Sequence, residues 1–378
     1  MAAKTNETAL VLSGGGARGA YQAGVIKALS EIGAKNKIEN PMPIIAGTSA
    51  GSINAAFLAA HAEDLRSAGE KICQIWGSLQ SHQVIRTDTI SFTRIGFRLL
   101  KELTTGSFVK RKKTLGLLDT TPLKNLLTES IPFQKIQHNI DSGFLRALAI
   151  TATNYANSDR VTFVQGKSDI KPWKKVRRRS EMGPIESSHV MASTAIPIFF
   201  PPIQVGTAFY GDGCLRNLTP LSPAIKLGAK NLIVVGVQKE IRLHDPSDGT
   251  LIMPTLARVV SVVTNAILMD NVYMDIERLN RINETVKVVE PTATSFRPIN
   301  IVHIRPSQDI GKIAFEESEK LPATLKFLID GLGSRREAAE LISYLMFEGP
   351  YCQRLIDMGY QDALAQEKEI CDILSAPS

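Results

Sequence analysis

A serine in a tight turn is the first residue whose setting suggests chemistry. Residues 47–51 (GTSAG) fit the pattern G-x-S-x-G, which places Ser49 between two glycines. A sharp strand-to-helix turn needs flanking residues without bulky side chains, and Gly47 and Gly51 meet that need. The hydroxyl then stands at the positive end of a helix, which favours an alkoxide and the oxyanion that follows it. Turns of this composition also arise by chance, so the motif alone leaves a non-catalytic turn open.

A second glycine-rich turn lies earlier in the chain. Residues 14–19 (GGGARG) fit G-x-G-x-x-G, a turn that can hold a pyrophosphate on backbone N–H groups at a helix N-terminus. A dinucleotide fold also expects an acidic residue about 20 residues further on, at the end of the second strand. The Ser49 turn occupies that strand end, and the nearest acid, Glu39, precedes the strand. Nucleotide binding therefore stays an alternative that rests on one weak motif.

The two turns together are more informative than either one alone. The carboxyl ends of neighbouring parallel strands open onto one crevice, so both turns can face a single site. Ser49 could then attack an ester carbonyl while the N–H groups of Gly15 and Gly16, with Ala17 as a further candidate, receive the developing negative charge. This pairing favours acyl transfer through a serine with an oxyanion hole.

The serine needs a base, and histidine is the usual choice. None of the six histidines occupies a recognisable triad setting, and packing explains His189, the best placed of them. Asp212 follows the apolar stretch 208–211 and precedes Gly213, so a carboxylate is delivered at a tight turn with glycine on both sides. That geometry would allow close approach to Ser49. A simple Asp-Gly hairpin turn is the better explanation when this segment is taken alone.

Apolar runs and helix-forming segments indicate the elements that position these residues. Strands are predicted at Thr8–Leu12 and Pro43–Ala46, and the helices Ala17–Ile32 and Ser52–Ala60 follow their turns. Two successive strand–turn–helix units imply a parallel sheet covered by helices. From about Leu321 onward the chain has the pattern of amphipathic helices. Further strands are expected at Leu145–Ala152, Arg160–Val164, Asn231–Val237, Thr285–Val289 and Asn300–Ile304.

The composition is that of a globular protein. Hydrophobic residues make up 44% of the 378 residues and charged residues 21%, a balance that allows a sizeable core. The four scattered cysteines lack the spacing of a disulfide framework or a zinc site. The N-terminus lacks the features of a secretory signal, and no stretch approaches the roughly 18 uncharged apolar residues that suggest a membrane span. We therefore expect a soluble, cytoplasmic protein in a reducing compartment.

Two basic clusters account for part of the net charge of +7. They are Lys110–Lys113 (KRKK) and Lys171–Arg179 (KPWKKVRRR), and solvated loops explain them as well as function does. The functional interpretation is peripheral contact with an anionic membrane, where each basic residue contributes on the order of 1 kcal/mol. Trp173 favours the membrane because indole prefers the interface. No nucleic-acid partner is expected, because no recognition motif accompanies the charge.

In combination these motifs resemble the patatin-like phospholipase family. Residues 14–19 look like its oxyanion block, residues 47–51 its nucleophile block, and Asp212-Gly213 its Asp-Gly block. Residues 192–197 (ASTAIP) are similar to a further block that precedes the acid. The four motifs occur in the family's order between about Leu10 and Ala224. Cys214 departs from the pattern, because the family generally has Gly or Ala after Asp-Gly.

The resemblance implies a lipid acyl hydrolase of the phospholipase A or lysophospholipase type, without metal or cofactor. It implies a three-layer α/β/α fold with a mainly parallel central sheet, a catalytic domain over residues 1–310 and a helical extension over 311–378. Ser49 is the nucleophile and Asp212 the general base of a dyad. Arg18 fits the family's basic position, where it stabilises the oxyanion loop or meets a lipid phosphate. Gly14, Gly19, Gly47, Gly51 and Gly213 support the turns.

Other functions remain open on the sequence. An acyltransferase or thioesterase would use the same acyl-Ser49 intermediate with another acceptor or leaving group. A catalytically idle membrane-recruitment module would use only the basic clusters.

The proposed dyad requires an unusual aspartate. An aspartate of ordinary pKa, about 3.9, is a weak base for a hydroxyl, so burial must raise the pKa of Asp212. Phe209 and Tyr210 are the neighbours expected to provide that burial. Head-group specificity and oligomeric state have no sequence signal.

Overall fold

The two strand–turn–helix units predicted at the N-terminus lie side by side at the centre of the fold. In the computed structural model β1 (Thr8–Leu12) leads to α1 (Gly19–Lys35), and β2 (Ile44–Thr48) leads to α2 (Ala50–Ala60). The two strands are parallel, with Ala9 opposite Ile44. All ten strand residues are buried because helices cover both faces of the sheet. The two glycine-rich turns therefore open at the same edge.

The structure describes residues 7–38, 40–86, 116–239, 253, 255–268, 271–289 and 296–375. The basic cluster Lys110–Lys113 lies outside the described residues, so its predicted membrane contact has no structural account.

A ten-stranded sheet runs in the order β10-β9-β1-β2-β3-β4-β6-β5, and β8 joins β3 to β7. From β10 to β3 all neighbours are parallel, whereas β4 and β8 are antiparallel to β3. This is the predicted α/β fold with a mostly parallel central sheet. The strands beyond β2 are β3 (Ala147–Asn154), β4 (Arg160–Gly166), β5 (Lys174–Lys175), β6 (Arg178–Met182), β7 (Ile203–Val205), β8 (Ala208–Asp212), β9 (Asn231–Val235) and β10 (Asn300–Ile304).

Helices form a layer on each face of the sheet. Leu10 and Leu12 belong to the larger apolar cluster on one face, while Ala9 and Val11 belong to the cluster on the other, as strand alternation requires. The three layers agree with the predicted α/β/α arrangement. The helices after α2 and before the C-terminal region are α3 (Leu65–Gly77), α4 (Thr121–Ser130), α5 (Gln134–Asp141), α6 (Ser187–Ser193), α7 (Ser222–Lys226), α8 (Leu256–Leu268) and α9 (Asn271–Val288).

Helices follow one another in the C-terminal region, as the amphipathic pattern predicts. They are α10 (Ile310–Glu316), α11 (Ala323–Asp330), α12 (Ala339–Leu345), α13 (Gly349–Leu364) and α14 (Glu367–Leu374). Helix α13 packs along α1, and a Cβ on Gly24 of α1 would stand only 1.9 Å from the carbonyl oxygen of Ile356. The tail is thus in direct backbone contact with the first helix of the sheet. A domain boundary at residue 310 stays a prediction.

The strand predicted at Thr285–Val289 is wrong, because residues up to Val288 lie in helix α9. Its β-branched residues suggested a strand, but the segment continues the helical pattern from Asn271. The expectation that no uncharged apolar stretch approaches about 18 residues is not contradicted, because Arg258 and Asp270 interrupt the segment Leu256–Val288. Within the described residues, Leu256–Val288 is long and apolar enough to cross a membrane by length and composition, and its best window has a mean hydropathy of 1.3. Only 21% of that window is buried in the protein.

Candidate active site

The turn after β2 holds Ser49 in a conformation that few residues adopt. Ser49 has φ 53° and ψ −131°, and it precedes the first residue of α2. Its N–H donates a hydrogen bond to Ser193 Oγ (2.9 Å), and that hydroxyl donates in turn to the carbonyl of Thr151 (2.6 Å). A positive φ costs a non-glycine residue about 1–3 kcal/mol, so the surroundings must hold it. Ser193 and the sheet do so here.

Asp212 lies at the end of β8, beside the nucleophile turn. Strand β8 pairs antiparallel with β3, which sets Asp212 opposite Ala152. The hydroxyl of Ser49 donates to Asp212 Oδ2 at 2.6 Å, and the N–H of Cys214 donates to Oδ1 at 2.8 Å. The structure therefore brings the two residues of the predicted dyad into direct contact, with one carboxylate oxygen on the hydroxyl and the other held by the backbone.

Burial changes the acidity of this carboxyl. Asp212 is fully buried, and this desolvation raises its pKa from 3.8 to about 6, although the hydrogen bonds from Ser49 and Cys214 act in the opposite direction. A carboxylate with that pKa is a stronger base than an exposed aspartate and is still ionised at neutral pH. Tyr210 is buried nearby, but Phe209 is 53% exposed, so the expectation that Phe209 shields the carboxyl is wrong.

The oxyanion-type turn lies directly against Ser49. A Cβ on Gly14 would stand 3.0 Å from Ser49 Cβ and 2.3 Å from Cys214 Sγ. Gly16 has φ +55°, and a Cβ there would meet the carbonyl oxygen of Tyr344 at 2.3 Å. Among the described residues no group accepts a hydrogen bond from the N–H of Gly15, Gly16 or Ala17. Within the described part of the chain these donors are thus unengaged, at a turn that lies against Ser49.

Arg18 points away from this crevice into the C-terminal region. Only 1% of Arg18 is exposed, and its guanidinium donates to Ser343 Oγ (2.8 Å), to the carbonyl of Val237 (3.2 Å) and to Glu340. It also lies 4.5 Å from the ring centre of Tyr344. Of the two roles that the resemblance implies, stabilising the loop fits these contacts, and meeting a lipid phosphate does not.

The other residues singled out in the sequence lie where the turns require them. Gly47 is near the end of β2, Gly51 is in the first turn of α2, Gly19 begins α1 and Gly213 follows Asp212. His189 packs against Phe163, with ring centres 4.6 Å apart, and its Nδ1 accepts the N–H of Glu186. Burial lowers the pKa of His189. It makes no hydrogen bond to either dyad residue, in agreement with a packing role.

Sequence reasoning missed three residues that hold the site. Ser193 was visible as part of the block 192–197, but its contact with Ser49 was not predicted. Glu340 and Tyr344 lie more than 320 positions after Arg18 and carry no motif. Only the three-dimensional structure brings them to the oxyanion turn.

A small apolar cavity of about 40 Å³ lies among helices α2, α3 and α4. Ile53, one turn of α2 after Ser49, is among the residues that line it, with Phe57 and Trp76. Ser130 is the one hydroxyl-bearing residue among the side chains that line it. Its lining is therefore almost wholly apolar.

Comparison with known proteins places this geometry in a family. Residues 10–225 match the family Patatin-like phospholipase. No curated protein gives a match. Similar solved structures include VipD from Legionella pneumophila, with 15% identity, a TM-score of 0.32 and coverage of 93% of this chain and 67% of that one.

Two further similar structures are a human enzyme and a bacterial complex. The human group IVD cytosolic phospholipase A2, in complex with methyl gamma-linolenyl fluorophosphonate, has 11% identity and a TM-score of 0.43, with coverage of 98% of this chain and 59% of that one. ExoU of Pseudomonas aeruginosa, in complex with SpcU, has 15% identity and a TM-score of 0.28, with coverage of 96% and 77%. The family match covers more than half of the chain, from before the first glycine-rich turn to beyond Asp212. The chain therefore belongs to the patatin-like phospholipase family, a family of lipid hydrolases.

Proposed function

We propose that the protein hydrolyses carboxylic ester bonds of phospholipids or related acyl lipids through an acyl-Ser49 intermediate, with Asp212 as general base. The observation that carries the proposal is the 2.6 Å hydrogen bond from Ser49 Oγ to a buried carboxylate whose pKa is about 6. A base must lie within hydrogen-bond reach of the proton that it takes and must be ionised at the working pH. Asp212 meets both conditions without a histidine.

The first half-reaction forms the acyl enzyme. Ser49 Oγ forms a bond with the ester carbonyl carbon while its proton passes to Asp212 Oδ2. The carbonyl oxygen becomes an oxyanion, and the N–H groups of Gly15, Gly16 and Ala17, which have no acceptor among the described residues, are the candidate donors to it. The bond to the leaving oxygen then breaks, and Asp212 returns the proton to that oxygen, which releases the alcohol or lysolipid.

The second half-reaction regenerates the enzyme. A water molecule gives a proton to Asp212 and attacks the acyl carbon, and Ser49 leaves with that proton as the fatty acid is released. The α2 helix that follows Ser49 contributes its positive end to both oxyanions. All proton transfers pass through one carboxylate, whose second oxygen stays fixed by the N–H of Cys214.

A lipid acyl chain is the substrate portion that best suits the surroundings. The cavity lined by Ile53 is almost wholly apolar, and at about 40 Å³ it would have to widen to admit an alkyl chain. The family match supports a lipid substrate in general. We place the activity on the cytoplasmic side of the membrane, with the second basic cluster as one attachment.

The test is incubation of the full-length protein with mixed phospholipids, beside Ser49→Ala, followed by mass spectrometry of the products. We expect free fatty acids and lysophospholipids from the wild type and neither from the variant. Release of acyl groups only onto added alcohol or lysolipid would assign an acyltransferase instead. Equal product from Ser49→Ala would contradict the proposal.

A further inference from the structure

Helix α8 exposes apolar residues where a surface helix normally has polar ones. Leu256 is 59% exposed, Val259 45%, Val262 52% and Val263 51%. Their spacing of three and four residues sets them on one face of the helix. The opposite face, which packs on the protein, carries small or polar residues, among them Ala257 (0% exposed) and Ser261 (1%). The helix is thus amphipathic with its apolar side outward.

Specific contacts hold the helix in this orientation. The N–H of Ala257 donates to the carbonyl of Leu332 (3.0 Å), and Ser261 Oγ donates to the carbonyl of Glu337 (3.1 Å). One turn further on, Tyr344 donates from its hydroxyl to Asn265 Oδ1. Rolling α8 to bury its valines would break these bonds and leave polar groups unpaired. The outward apolar face is therefore a built feature of the fold.

This face belongs to the same edge of the molecule as the nucleophile. Helix α8 packs against the turn Gly213–Arg216 that directly follows Asp212. Leu218, 62% exposed, is next to Asn217, whose amide donates to Thr48 Oγ1 beside Ser49. Ile198 is 72% exposed and lies three positions after Ala195, whose carbonyl accepts the N–H of Asp212. Leu218 and Ile198 thus lie close along the chain to residues that hydrogen-bond beside Ser49 and to Asp212.

Cations stand at that edge as well. Thr48 of β2 pairs with Thr151 of β3. Thr153 lies two residues further along β3, toward the edge, and pairs with Arg160 of β4. Arg160 pairs in turn with Arg178 of β6. This register puts the turn between β5 and β6 at the Ser49 edge of the sheet. Val176, at the tip of the turn, is 90% exposed, and the exposed cations Lys174, Lys175 and Arg177 surround it. Trp173 is half-buried beneath Lys226, so Val176 replaces the indole as the apolar group of this cluster.

We propose that these residues form one lipid-docking face, which seats on an anionic lipid surface with α8 in the plane of the interface and the β5–β6 turn among the head groups. The face comprises Val176, Ile198, Leu218, Leu256, Val259, Val262 and Val263, with the cations of the turn. This inference rests on the proposed function for the nature of the substrate. Apolar patches of this kind mark binding surfaces, and an amphipathic helix beside basic residues suits the membrane interface.

A lipid surface fits this face better than a second copy of the chain does. A two-fold contact between copies would bring the same patch onto itself, and Lys174, Lys175 and Arg177 would find no acidic partner among the residues of the face. Burial of cations without a partner is costly. An anionic bilayer supplies the opposite charge and an apolar layer in one partner. It also supplies the ester directly at the Ser49 edge.

The experiment is flotation of the full-length protein with phosphatidylcholine vesicles, with or without phosphatidylglycerol, for wild type and the double variant Leu256→Glu/Val263→Glu. The matched control is Phe144→Glu, a residue that is 40% exposed and precedes β3 at the edge of the sheet opposite Ser49. We expect wild type and control to float with anionic vesicles, and the double variant to lose at least tenfold in binding. The charge reversal Lys174→Glu/Lys175→Glu should weaken binding to anionic vesicles alone.

A water-soluble short-chain ester separates this proposal from the proposed function. We expect the double variant to hydrolyse that ester like the wild type while it loses activity on vesicles, and Ser49→Ala to float normally. If the double variant bound vesicles as tightly as the wild type does, the proposed docking face would be wrong. A second outcome would also overturn it: light scattering that finds a dimeric wild type and a monomeric double variant, while both bind vesicles equally. Loss of the proposed function would appear as ester hydrolysis that does not depend on Ser49.

Discussion

The two glycine-rich turns of the site have similar residues but different supports. The nucleophile turn is held from within the segment that matches the family: Ser193 accepts the N–H of Ser49, and Asn217 donates to Thr48. The oxyanion turn is held from outside that segment. Arg18 is bound by Glu340 and Ser343 of the C-terminal region, and the carbonyl of Tyr344 lies against Gly16.

The segment that matches the family therefore contains the proposed reacting groups and the residues that hold the Ser49 turn. The residues that hold the oxyanion turn lie in the C-terminal region. Arg18 is nearly inaccessible to solvent, so removal of its partner would leave a buried charge unpaired. Burial acts to raise the pKa of Glu340, but the charge of Arg18 together with hydrogen bonds from Arg18 and Asn265 outweighs it, and the net shift is downward. The C-terminal helices are therefore expected to influence catalysis through the oxyanion turn and not through the dyad.

The largest effect is expected from the dyad. Asp212→Asn should lower kcat by about 10⁴-fold, because the hydroxyl of Ser49 loses its base while the side chain keeps its shape. Steady-state hydrolysis of a soluble ester, with circular dichroism to verify folding, is the measurement. Asp372→Asn, at an exposed position of α14, is the matched control and should retain wild-type kcat. A folded Asp212→Asn variant with full activity would remove Asp212 from the mechanism.

A substitution in the oxyanion turn should come next. Gly16→Ala puts a methyl group 2.3 Å from the carbonyl oxygen of Tyr344, at a positive φ, so the loop must shift. We expect kcat to fall by about 100-fold, the usual cost of one lost oxyanion donor. Gly206 has nearly the same φ, +56°, with no atom within 4 Å, and Gly206→Ala is the control for backbone strain alone. Equal kcat in both variants would argue that the contact with Tyr344 is irrelevant.

A smaller effect should come from the supports themselves. Glu340→Gln and Ser193→Ala should each lower kcat by about tenfold with little change in KM, because each loosens one turn without touching substrate. Their effects should add in the double variant to within about 0.5 kcal/mol, since the two supports share no contact. A strong departure from additivity would mean that the turns are held as one unit.

A further prediction concerns the dependence of activity and stability on pH. Ionised Asp212 is the active form, so kcat/KM should rise with pH up to about 6 and level off above it. The folded pKa lies above the unfolded value, so the native state binds the proton more tightly and folding stability falls as pH rises from about 4 to 6. Asp212→Asn should therefore be more stable than wild type at pH 8, by about 3 kcal/mol, in urea unfolding. A difference that persists at pH 3 would exclude this cause.

Local sequence patterns predicted the part of the site that depends on neighbouring residues. The turns at Gly14–Gly19 and at Ser49 follow from short apolar runs and small residues, and the parallel sheet follows from their repetition. The supports of Arg18 were not predictable, because Glu340 is 322 positions away and has no motif. Helix α8 had a readable apolar stripe, but periodicity cannot tell whether a stripe faces the core or the solvent. The prediction of a strand at Thr285–Val289 was wrong because β-branched residues also occur in helices.

Labelling with a fluorophosphonate is the most direct test of the Ser49–Asp212 dyad. The label measures the nucleophilicity of Ser49 without product release, and mass spectrometry of a digest identifies the modified residue. We predict one adduct on Ser49 in the wild type, none in Ser49→Ala, and labelling at least about 100-fold slower in Asp212→Asn, with a pH profile that follows a group of pKa about 6. Labelling of another residue, or an unchanged rate in folded Asp212→Asn, would contradict the account.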